Sequence, residues 1–253
     1  MHAIILAAGR GSRLSRLNPD QRPKCLLEVG GRSLLARQLE LLGNSGIRRV
    51  DIVVGYGAAR IQEEVASLAL RPDICFHFNP RFEEGSTISL WAAHETLMHG
   101  DHVLLLDADV VCHPAVLDAL VGTTLENCFL LDRDFEAGDE PVKIAVKDGT
   151  IIEFRKQLPE GLDYDILGES VGLFRFGPGT ARRIAERCAS FDADGLADSP
   201  HEEVLRAELL DRPREFGYED VTGMPWIEID YDEDLDKARK RVLPAIRRDY
   251  PGF

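Results

Sequence analysis

Two stretches of this sequence combine residue types that could handle phosphate groups, and the first lies at the amino end. The apolar run Ala3 to Ala7 has the character of a buried parallel strand and opens directly onto Gly9, Gly11 and Ser12. Glycines let the backbone turn tightly and present successive N–H groups to an anion, and Arg13 adds positive charge to the same turn. Lys24, which follows a proline, places one more cation further along the chain.

Three interpretations of this glycine turn compete. A P-loop requires Gly-x-x-x-x-Gly-Lys followed by Ser or Thr, and no such run occurs in the sequence. A dinucleotide-binding fingerprint requires a third small residue at the position that Leu14 occupies. A plain turn without a ligand would explain Gly-x-Gly alone, but Arg10, Arg13 and the following Pro-Lys favour a nucleoside triphosphate.

The second stretch is a hydrophobic strand that ends in two carboxylates, Asp107 and Asp109. Residues two apart on a strand point to the same side, and the carboxyl end of a strand is where a doubly wound sheet binds its ligands. Two unpaired carboxylates repel each other unless a cation lies near them. A solvated pair at a strand end is the alternative, but together with the upstream turn the pair predicts a metal site.

A further group of acidic residues follows Trp226 near the carboxyl end. A strand there would carry Glu228 and Asp230 to one side. These acids could instead only stabilise the positive end of the helix predicted from Asp232 to about Leu243. Pro244 should end or kink that helix.

The segment Leu6-Ala-Ala-Gly-Arg-Gly-Ser-Arg-Leu14, followed by Pro23-Lys24, resembles the signature of the nucleotidyltransferases that make sugar and alcohol nucleotides. The middle of the chain resembles the choline-phosphate cytidylyltransferase branch of that superfamily. The resemblance implies that Mg²⁺ is held by Asp109 and Asp230, with Glu228 as a further candidate ligand. The nucleotide-binding residues that it implies are Leu6, Ala7, Ala8, Gly9, Gly11, Ser12, Arg13, Lys24, Gly85, Ser86 and Asp107.

The same resemblance implies an acceptor site in the second half of the chain. Lys156 follows a predicted strand and matches the lysine with which the family holds the acceptor's phosphate. Glu169 lies in the glycine-containing strand that comes next, and Glu202 matches an acidic residue of the choline-specific relatives, although Pro200 and His201 stand where those relatives carry aromatic residues. Binding a quaternary ammonium group requires aromatic faces. The candidates for that role are Trp91, Tyr164 and Trp226, of which Trp226 is the expected contact.

The elements that must position these residues alternate as β, α, β, α, β over the first half of the chain. This order predicts parallel strands joined by right-handed crossovers. From about Asn127 the alternation stops, and several strands without long helices between them predict a mixed or antiparallel extension. The fold class is therefore α/β: a Rossmann-like, doubly wound, mostly parallel sheet flanked by helices, with a small mixed or antiparallel acceptor-binding extension, similar to the GT-A-like nucleotidyltransferases. We expect a single domain over 1–253, with a nucleotide-binding half at about 1–126, an acceptor-binding half at about 127–230 and a C-terminal helical segment at 231–253.

Composition sets outer bounds on the function. The 253 residues include 44 acidic and 30 basic side chains, for a formal net charge of −14, so nucleic acid and anionic membranes are not expected partners. The five cysteines are odd in number and lack CxxC spacing, which predicts reduced thiols. No apolar stretch of eighteen residues and no basic leader is present, so we expect a cytoplasmic protein. The sequence leaves a homodimer open.

Together these features predict a Mg²⁺-dependent nucleotidyltransferase. Lys24, Arg13, Asp109 and Lys156 are the expected catalytic residues. The expected reaction transfers a nucleoside monophosphate, CMP from CTP by resemblance, to a small phosphorylated alcohol, a phosphonate or a sugar phosphate. Three alternatives stay open: a sugar-1-phosphate nucleotidyltransferase that uses UTP, dTTP or GTP, a nucleotide-binding regulatory domain without turnover, and an NAD(P)-linked oxidoreductase.

Overall fold

The computed structural model describes residues 1–11, 13–14, 18, 20–136 and 138–253. In these ranges the strands are β1 His2–Ala7, β2 Glu28–Val29, β3 Arg32–Ser33, β4 Arg49–Val54, β5 Asp73–Phe78, β6 Val103–Asp107, β7 Val110–Cys112, β8 Asn127–Asp132, β9 Lys143–Lys147, β10 Thr150–Arg155, β11 Ile166–Phe176, β12 Phe216–Asp220 and β13 Trp226–Glu228. The helices are α1 Leu34–Asn44, α2 Ala58–Ser67, α3 Ser86–Ala92, α4 His94–Met98, α5 Pro114–Gly122, α6 Pro178–Ala193, α7 His201–Asp211, α8 Asp232–Lys237 and α9 Leu243–Asp249. Short 3₁₀ turns span Lys24–Leu26 and Pro213–Glu215.

The centre of the molecule is a parallel sheet with the strand order β6-β1-β4-β5. In β1, Ile5 lies opposite Ile52 of β4 on one side and Leu106 of β6 on the other. Successive side chains point to opposite faces, so an unbroken apolar strand must be covered on both. Ile5 accordingly packs with α1, α2 and α5 on one face, whereas Ile4 packs with α3, α4, α6 and α7 on the other. The predicted doubly wound α/β fold is confirmed.

The second half of the chain extends this same sheet through β11. The carboxyl-terminal part of β11 is antiparallel to β6, and its amino-terminal part is antiparallel to β9. Its other edge pairs with β8, where the register shifts between Ser170 and Phe174. Gly172 lies in this irregular stretch with φ of +73°, and a Cβ there would be 2.7 Å from an oxygen of Asp107. The bend in β11 therefore depends on a glycine directly beside the carboxylates at the end of β6.

The sequence patterns miss several elements and misplace one helix end. They do not predict helix α5, nor β12, which pairs in parallel with β8 at the side of the sheet. The terminal helix does not end near Leu243, because a π-helical turn at Ala238–Val242 links α8 to α9. Proline has no N–H group and its ring crowds the preceding turn. A widened turn just before Pro244 accommodates that ring, so the helix continues to Asp249.

Two further features concern the cysteines and the lengths of the helices. All five cysteines are free, and four of them are buried. In the described part of the chain, no helix has the length and apolar character needed to cross a bilayer.

Candidate active site

The candidate site is a cavity of about 260 Å³ at the carboxyl ends of β1 and β6. It is formed by the turn after β1, the 3₁₀ turn that carries Lys24, the segment after β6 and the segment after β13. The residues that line it are Leu6, Ala7, Gly9, Gly11, Arg13, Lys24, Cys25, Ala108, Asp109 and Asp230. Parts of the chain more than two hundred residues apart thus meet at the sheet edge where a doubly wound fold binds ligands.

Lys24 lies at the centre of this cavity. Its Nζ donates hydrogen bonds to Asp109 Oδ2 and to Asp230 Oδ1, each at 2.7 Å. Burial alone would lower the pKa of Lys24, but the two carboxylates outweigh burial and raise the pKa above its ordinary value. Lys24 is therefore a cation at neutral pH. A Cβ on Gly11 would be 2.8 Å from Lys24 Cβ, so only glycine lets the turn after β1 pack against this side chain.

Asp109 and Asp230 belong to a group of three acids with Glu228. One carboxylate oxygen from each of the three lies within 4.8 Å of the other two. Among the described residues, Asp109 Oδ1 is buried and has no hydrogen-bond partner. An orphaned oxygen on a carboxylate that lies close to two more carboxylates is the environment that an oxygen-preferring divalent cation would complete. These three residues therefore fit Mg²⁺.

The backbone around the carboxylates is fixed by contacts that the sequence did not predict. The buried amide of Gln38, on α1, donates to the carbonyls of Asp107 at 2.7 Å and Val110 at 3.2 Å, and so holds the turn that carries Asp109. Ile229 N donates to Asp109 O at 3.1 Å, which ties this turn to the segment after β13. Main-chain and side-chain bonds therefore align the two acid-bearing segments.

Asp230 is free for the cavity because another acid caps α8. The side chain of Asp234 accepts hydrogen bonds from the backbone N–H groups of Asp230 at 3.1 Å and Tyr231 at 2.9 Å. The alternative in which Asp230 itself stabilises the positive helix end is not what the structure shows. Asp234 has that role, and the side chain of Asp230 points to Lys24 instead.

Glu140 was not predicted, yet it joins three side chains at the mouth of the cavity. Its Oε2 accepts from Arg13 Nη1 at 3.2 Å and from Lys156 Nζ at 3.1 Å. Its Oε1 accepts from Tyr231 Oη at 2.9 Å, and the Arg13 guanidinium lies 5.5 Å from the centre of the Tyr231 ring. Hydrogen bonds from Lys156 and Tyr231 lower the pKa of Glu140, so its carboxylate is ionised. Arg13 and Lys156, expected to bind phosphate groups, thus share one anion.

Asp107 lies two residues before Asp109, at the end of β6. Burial, the charge of Asp109 and that of Glu202 raise the pKa of Asp107 well above its ordinary value. Its Oδ1 is 3.5 Å from His201 Nε2. This placement agrees with a supporting position for Asp107, while nucleotide contact by Asp107 stays a prediction.

The Gly85–Ser86 turn contacts another part of the chain. Gly85 N donates to Ala197 O at 3.2 Å, and Ser86 Oγ accepts from His201 N at 2.8 Å. A Cβ on Gly85 would clash with the backbone of Asp198, at 2.3 Å. Because these groups already have partners, a nucleotide would have to displace them, and nucleotide binding by Gly85 and Ser86 stays a prediction. Ser12 lies outside the described residues.

A second cavity, of about 380 Å³, adjoins the first and shares Asp230 with it. Glu169 and Trp226 line it, as expected for acceptor-binding residues, whereas Glu202 pairs with His201 Nδ1 at 3.1 Å instead. Trp226 Nε1 donates to Asp132 Oδ2 at 2.7 Å. The acidic residues that line this second cavity are Asp132, Asp134, Glu136, Asp139, Glu140, Glu169, Glu228, Asp230 and Asp234. Among the described lining residues, Lys237 alone is basic.

Glu169 shows how strong the negative field of this second cavity is. Burial, together with the charge of Asp132, raises the pKa of Glu169 to about 7. Glu169 is therefore near its titration midpoint at neutral pH. A cation in the cavity would draw it into the ionised form.

Two solved nucleotidyltransferase structures share this fold. The solved structure of the inositol-1-phosphate CTP transferase from T. maritima superposes with a TM-score of 0.77 at 21% identity, over 97% of this chain and 96% of the other. The CTP:phosphocholine cytidylyltransferase of Streptococcus pneumoniae superposes with a TM-score of 0.70 at 22% identity, over 94% of this chain and 97% of the other. At these identities the likeness shows the shared fold.

Sequence comparison narrows the class to a family. The family model for the MobA-like NTP transferase domain matches residues 3–153, and the chain belongs to that family. The chain is 25% identical to the CTP:phosphoglutamine cytidylyltransferase of Campylobacter jejuni, over 93% of this chain and 98% of that protein. It is 28% identical to the CMP-5'-(3-aminopropyl)phosphonate synthase of Streptomyces rubellomurinus, over 96% of this chain but only 39% of that longer protein. The predicted superfamily is confirmed, and the NAD(P)-linked oxidoreductase alternative is excluded.

Proposed function

We propose that this protein is a Mg²⁺-dependent cytidylyltransferase that transfers CMP from CTP to a small phosphorylated alcohol or phosphonate with a positively charged group, releasing pyrophosphate. The observation that carries the proposal is the pairing of two adjoining cavities. One contains Lys24 between Asp109 and Asp230, and the other has nine acidic residues and one basic residue among its sixteen described lining residues. The names of the relatives from Campylobacter jejuni and Streptomyces rubellomurinus support CTP as the donor.

The first cavity suits the triphosphate. Gly9 and Gly11 bring backbone close to the ligand, Arg13 binds the β- and γ-phosphates, and Lys24 neutralises charge at the α-phosphate. Asp109, Asp230 and Glu228 would hold Mg²⁺, which when bound supplies positive charge to phosphate oxygens. Lys24 keeps those carboxylates neutralised until substrates arrive, because its Nζ already bridges two of them.

The acceptor supplies its own nucleophile. A phosphate or phosphonate oxygen is ionised at neutral pH, so its attack on the α-phosphorus needs no general base from the protein. The main obstacle is bringing two anions together. Arg13, which lines the first cavity, and Lys156 lower it, because both cations lie side by side on the carboxylate of Glu140, a residue that lines the second cavity.

The second cavity favours an acceptor with a cationic group over a neutral sugar phosphate. Its acidic lining would repel a purely anionic acceptor but attract an ammonium group, and the Trp226 ring offers an aromatic surface beside Asp132. A sugar-1-phosphate nucleotidyltransferase is the second candidate. It would be favoured only if this cavity proved to bind uncharged hydroxyl groups.

A pyrophosphate-release panel tests the proposal. CTP, UTP, dTTP and GTP are each combined with phosphocholine, an aminoalkylphosphonate, inositol 1-phosphate and glucose 1-phosphate in the presence of Mg²⁺. We expect the highest kcat/KM for CTP with an amine-bearing acceptor, and no turnover once EDTA removes the metal. A preference for UTP, dTTP or GTP with glucose 1-phosphate would support the second candidate. No turnover with any pair, from folded protein, would overturn both.

Glu140→Gln should make the phosphate-binding cations more available. The substitution removes the negative charge that Arg13 and Lys156 share, while its amide oxygen can still accept from Tyr231. Each exposed ion pair is worth about 0.2–1 kcal/mol, so the KM of the acceptor should fall by roughly 2- to 10-fold in steady-state kinetics. Glu160→Gln is the matched control, because Glu160 is exposed and lies outside both cavity linings. A higher KM in Glu140→Gln would mean that Glu140 instead holds these cations in their working position.

A further inference from the structure

A group of side chains that could bind a metal ion lies at the amino ends of β1 and β6, whereas the cavities lie at the carboxyl ends of these strands. His2 begins β1, and the chain turns through Gly100 between His99 and Asp101 just before β6. His2 N donates to His102 O at 3.0 Å, which fixes the turn against the start of β1. With a rise of about 3.3 Å per strand residue, the six residues of β1 separate this group from the glycine turn by about 20 Å.

The two imidazoles converge on one carboxylate oxygen. His2 Nε2 is 3.5 Å and His99 Nδ1 is 3.1 Å from Asp101 Oδ2. One ligand atom from each of the three residues lies within 4.8 Å of the others, and the two rings are tilted with their centres 5.0 Å apart. Metal–ligand bonds of about 2.0–2.1 Å in a tetrahedral zinc site separate neighbouring ligand atoms by about 3.3–3.5 Å. The observed separations are close to that spacing.

We propose that His2, His99 and Asp101 form a binding site for a divalent transition metal ion, and that this ion is Zn²⁺. Two nitrogen donors and one oxygen donor suit Zn²⁺ rather than Mg²⁺, which prefers oxygen ligands. The side chains of His99 and Asp101 are 54% and 44% exposed, so solvent can reach the ion and complete its coordination. The ion joins the start of β1 to the turn before β6, and so fastens two neighbouring parallel strands.

A neighbouring group, Asp51, Cys75 and His77, has similar ligand types but a different charge state. Arg49 already donates to both oxygens of Asp51, at 3.2 and 3.3 Å, so the carboxylate is neutralised without a metal. In the described part of the chain, no lysine or arginine forms an ion pair with Asp101. Unlike the carboxylate of Asp51, that of Asp101 therefore has a negative charge that no described lysine or arginine neutralises, and a metal cation could neutralise it.

Zinc binding to the full-length protein tests this site. The protein is stripped with EDTA and dialysed, and excess Mg²⁺ is then added to occupy the acidic cavity before Zn²⁺ is titrated by calorimetry. We expect one Zn²⁺ per chain and a higher Tm, with Co²⁺ giving a visible absorption band of tetrahedral type as a second probe. Absence of Zn²⁺ binding to the wild-type protein overturns the proposal.

Variants assign the binding to these residues. His99→Ala and Asp101→Asn should weaken Zn²⁺ binding by at least 10-fold and abolish the rise in Tm, while circular dichroism verifies that they are folded. His102→Ala is the matched control, because His102 is in the same turn but points to Glu126 at 3.1 Å, and it should bind as the wild type does. Asp109→Asn and Cys75→Ser should also bind Zn²⁺ normally. Loss of binding in either of those two, with normal binding in His99→Ala, would place the ion elsewhere and overturn the proposal.

Discussion

Asp109→Asn should lower kcat/KM for nucleotidyl transfer by about 10²- to 10³-fold, the usual effect of removing one preorganised charged group from an active site. Asp109 Oδ2 accepts from Lys24 Nζ at 2.7 Å, and its buried Oδ1 has no hydrogen-bond partner among the described residues. The amide of asparagine keeps the size of the side chain but removes its charge, so Mg²⁺ affinity should fall as well. Pyrophosphate release measured across a Mg²⁺ titration checks both effects.

A matched variant separates this effect from a general loss of charge. Asp118→Asn makes the same chemical change at an exposed position on α5, where the carboxylate accepts only from Ser45 Oγ at 3.2 Å among the described contacts. Its kcat/KM should stay within about 2-fold of the wild-type value, as is usual for surface substitutions. If Asp109→Asn kept more than a tenth of wild-type activity with an unchanged Mg²⁺ requirement, Asp109 could not be a metal ligand.

Lys24→Met should also lower kcat/KM by about 10²- to 10³-fold, since it removes the cation closest to the proposed α-phosphate position. A second effect should be specific to this residue. Without Lys24, the carboxylates of Asp109 and Asp230 lose the cation between them, so the free energy of unfolding without Mg²⁺ should fall by about 3 kcal/mol, the low end for a broken buried ion pair. Chemical denaturation with and without Mg²⁺ measures this loss, and added Mg²⁺ should recover part of it.

Lys240→Met provides the comparison for Lys24→Met. Lys240 is exposed and pairs with Asp236 one helical turn away, so its loss should change neither turnover nor the response to Mg²⁺. Full turnover by Lys24→Met would instead show that Lys24 is not needed for nucleotidyl transfer.

Much of the fold follows from local patterns in the sequence. The apolar run at the start of the chain and the hydrophobic strand before Asp107 have the composition of buried parallel strands, and both lie in the central sheet. The meeting of Asp109 with Asp230 was also predictable. Asp109 follows a strand of the parallel sheet, but β13, which precedes Asp230, pairs antiparallel with β7 outside that sheet. The family resemblance is therefore what assigned both residues to one metal.

The unpredicted contacts join residues that are far apart in the sequence, and no local pattern predicts such contacts. Glu140 lies in an acidic segment that has the composition of solvated surface, and only the fold brings it to Arg13, 127 residues away. Gln38 lies within a helix, where the sequence does not distinguish it from other polar residues, although its amide supports the turn that carries Asp109. The segment that hydrogen-bonds to the Gly85–Ser86 turn has the composition of a short acidic linker. Nothing in it indicates that Ala197 O accepts from Gly85 N or that His201 N donates to Ser86 Oγ.

The shared strand β11 limits how this molecule can close around its substrates. The backbone of β11 is hydrogen-bonded to β6 at one end and to β9 at the other. A hinge motion that separates the first half of the chain from the second would therefore have to break main-chain hydrogen bonds in the interior of a continuous sheet. Any closure around the substrates would therefore involve surface segments, above all the segment that carries Glu140. Turnover should therefore be insensitive to changes that stiffen the sheet and sensitive to those that restrain this segment.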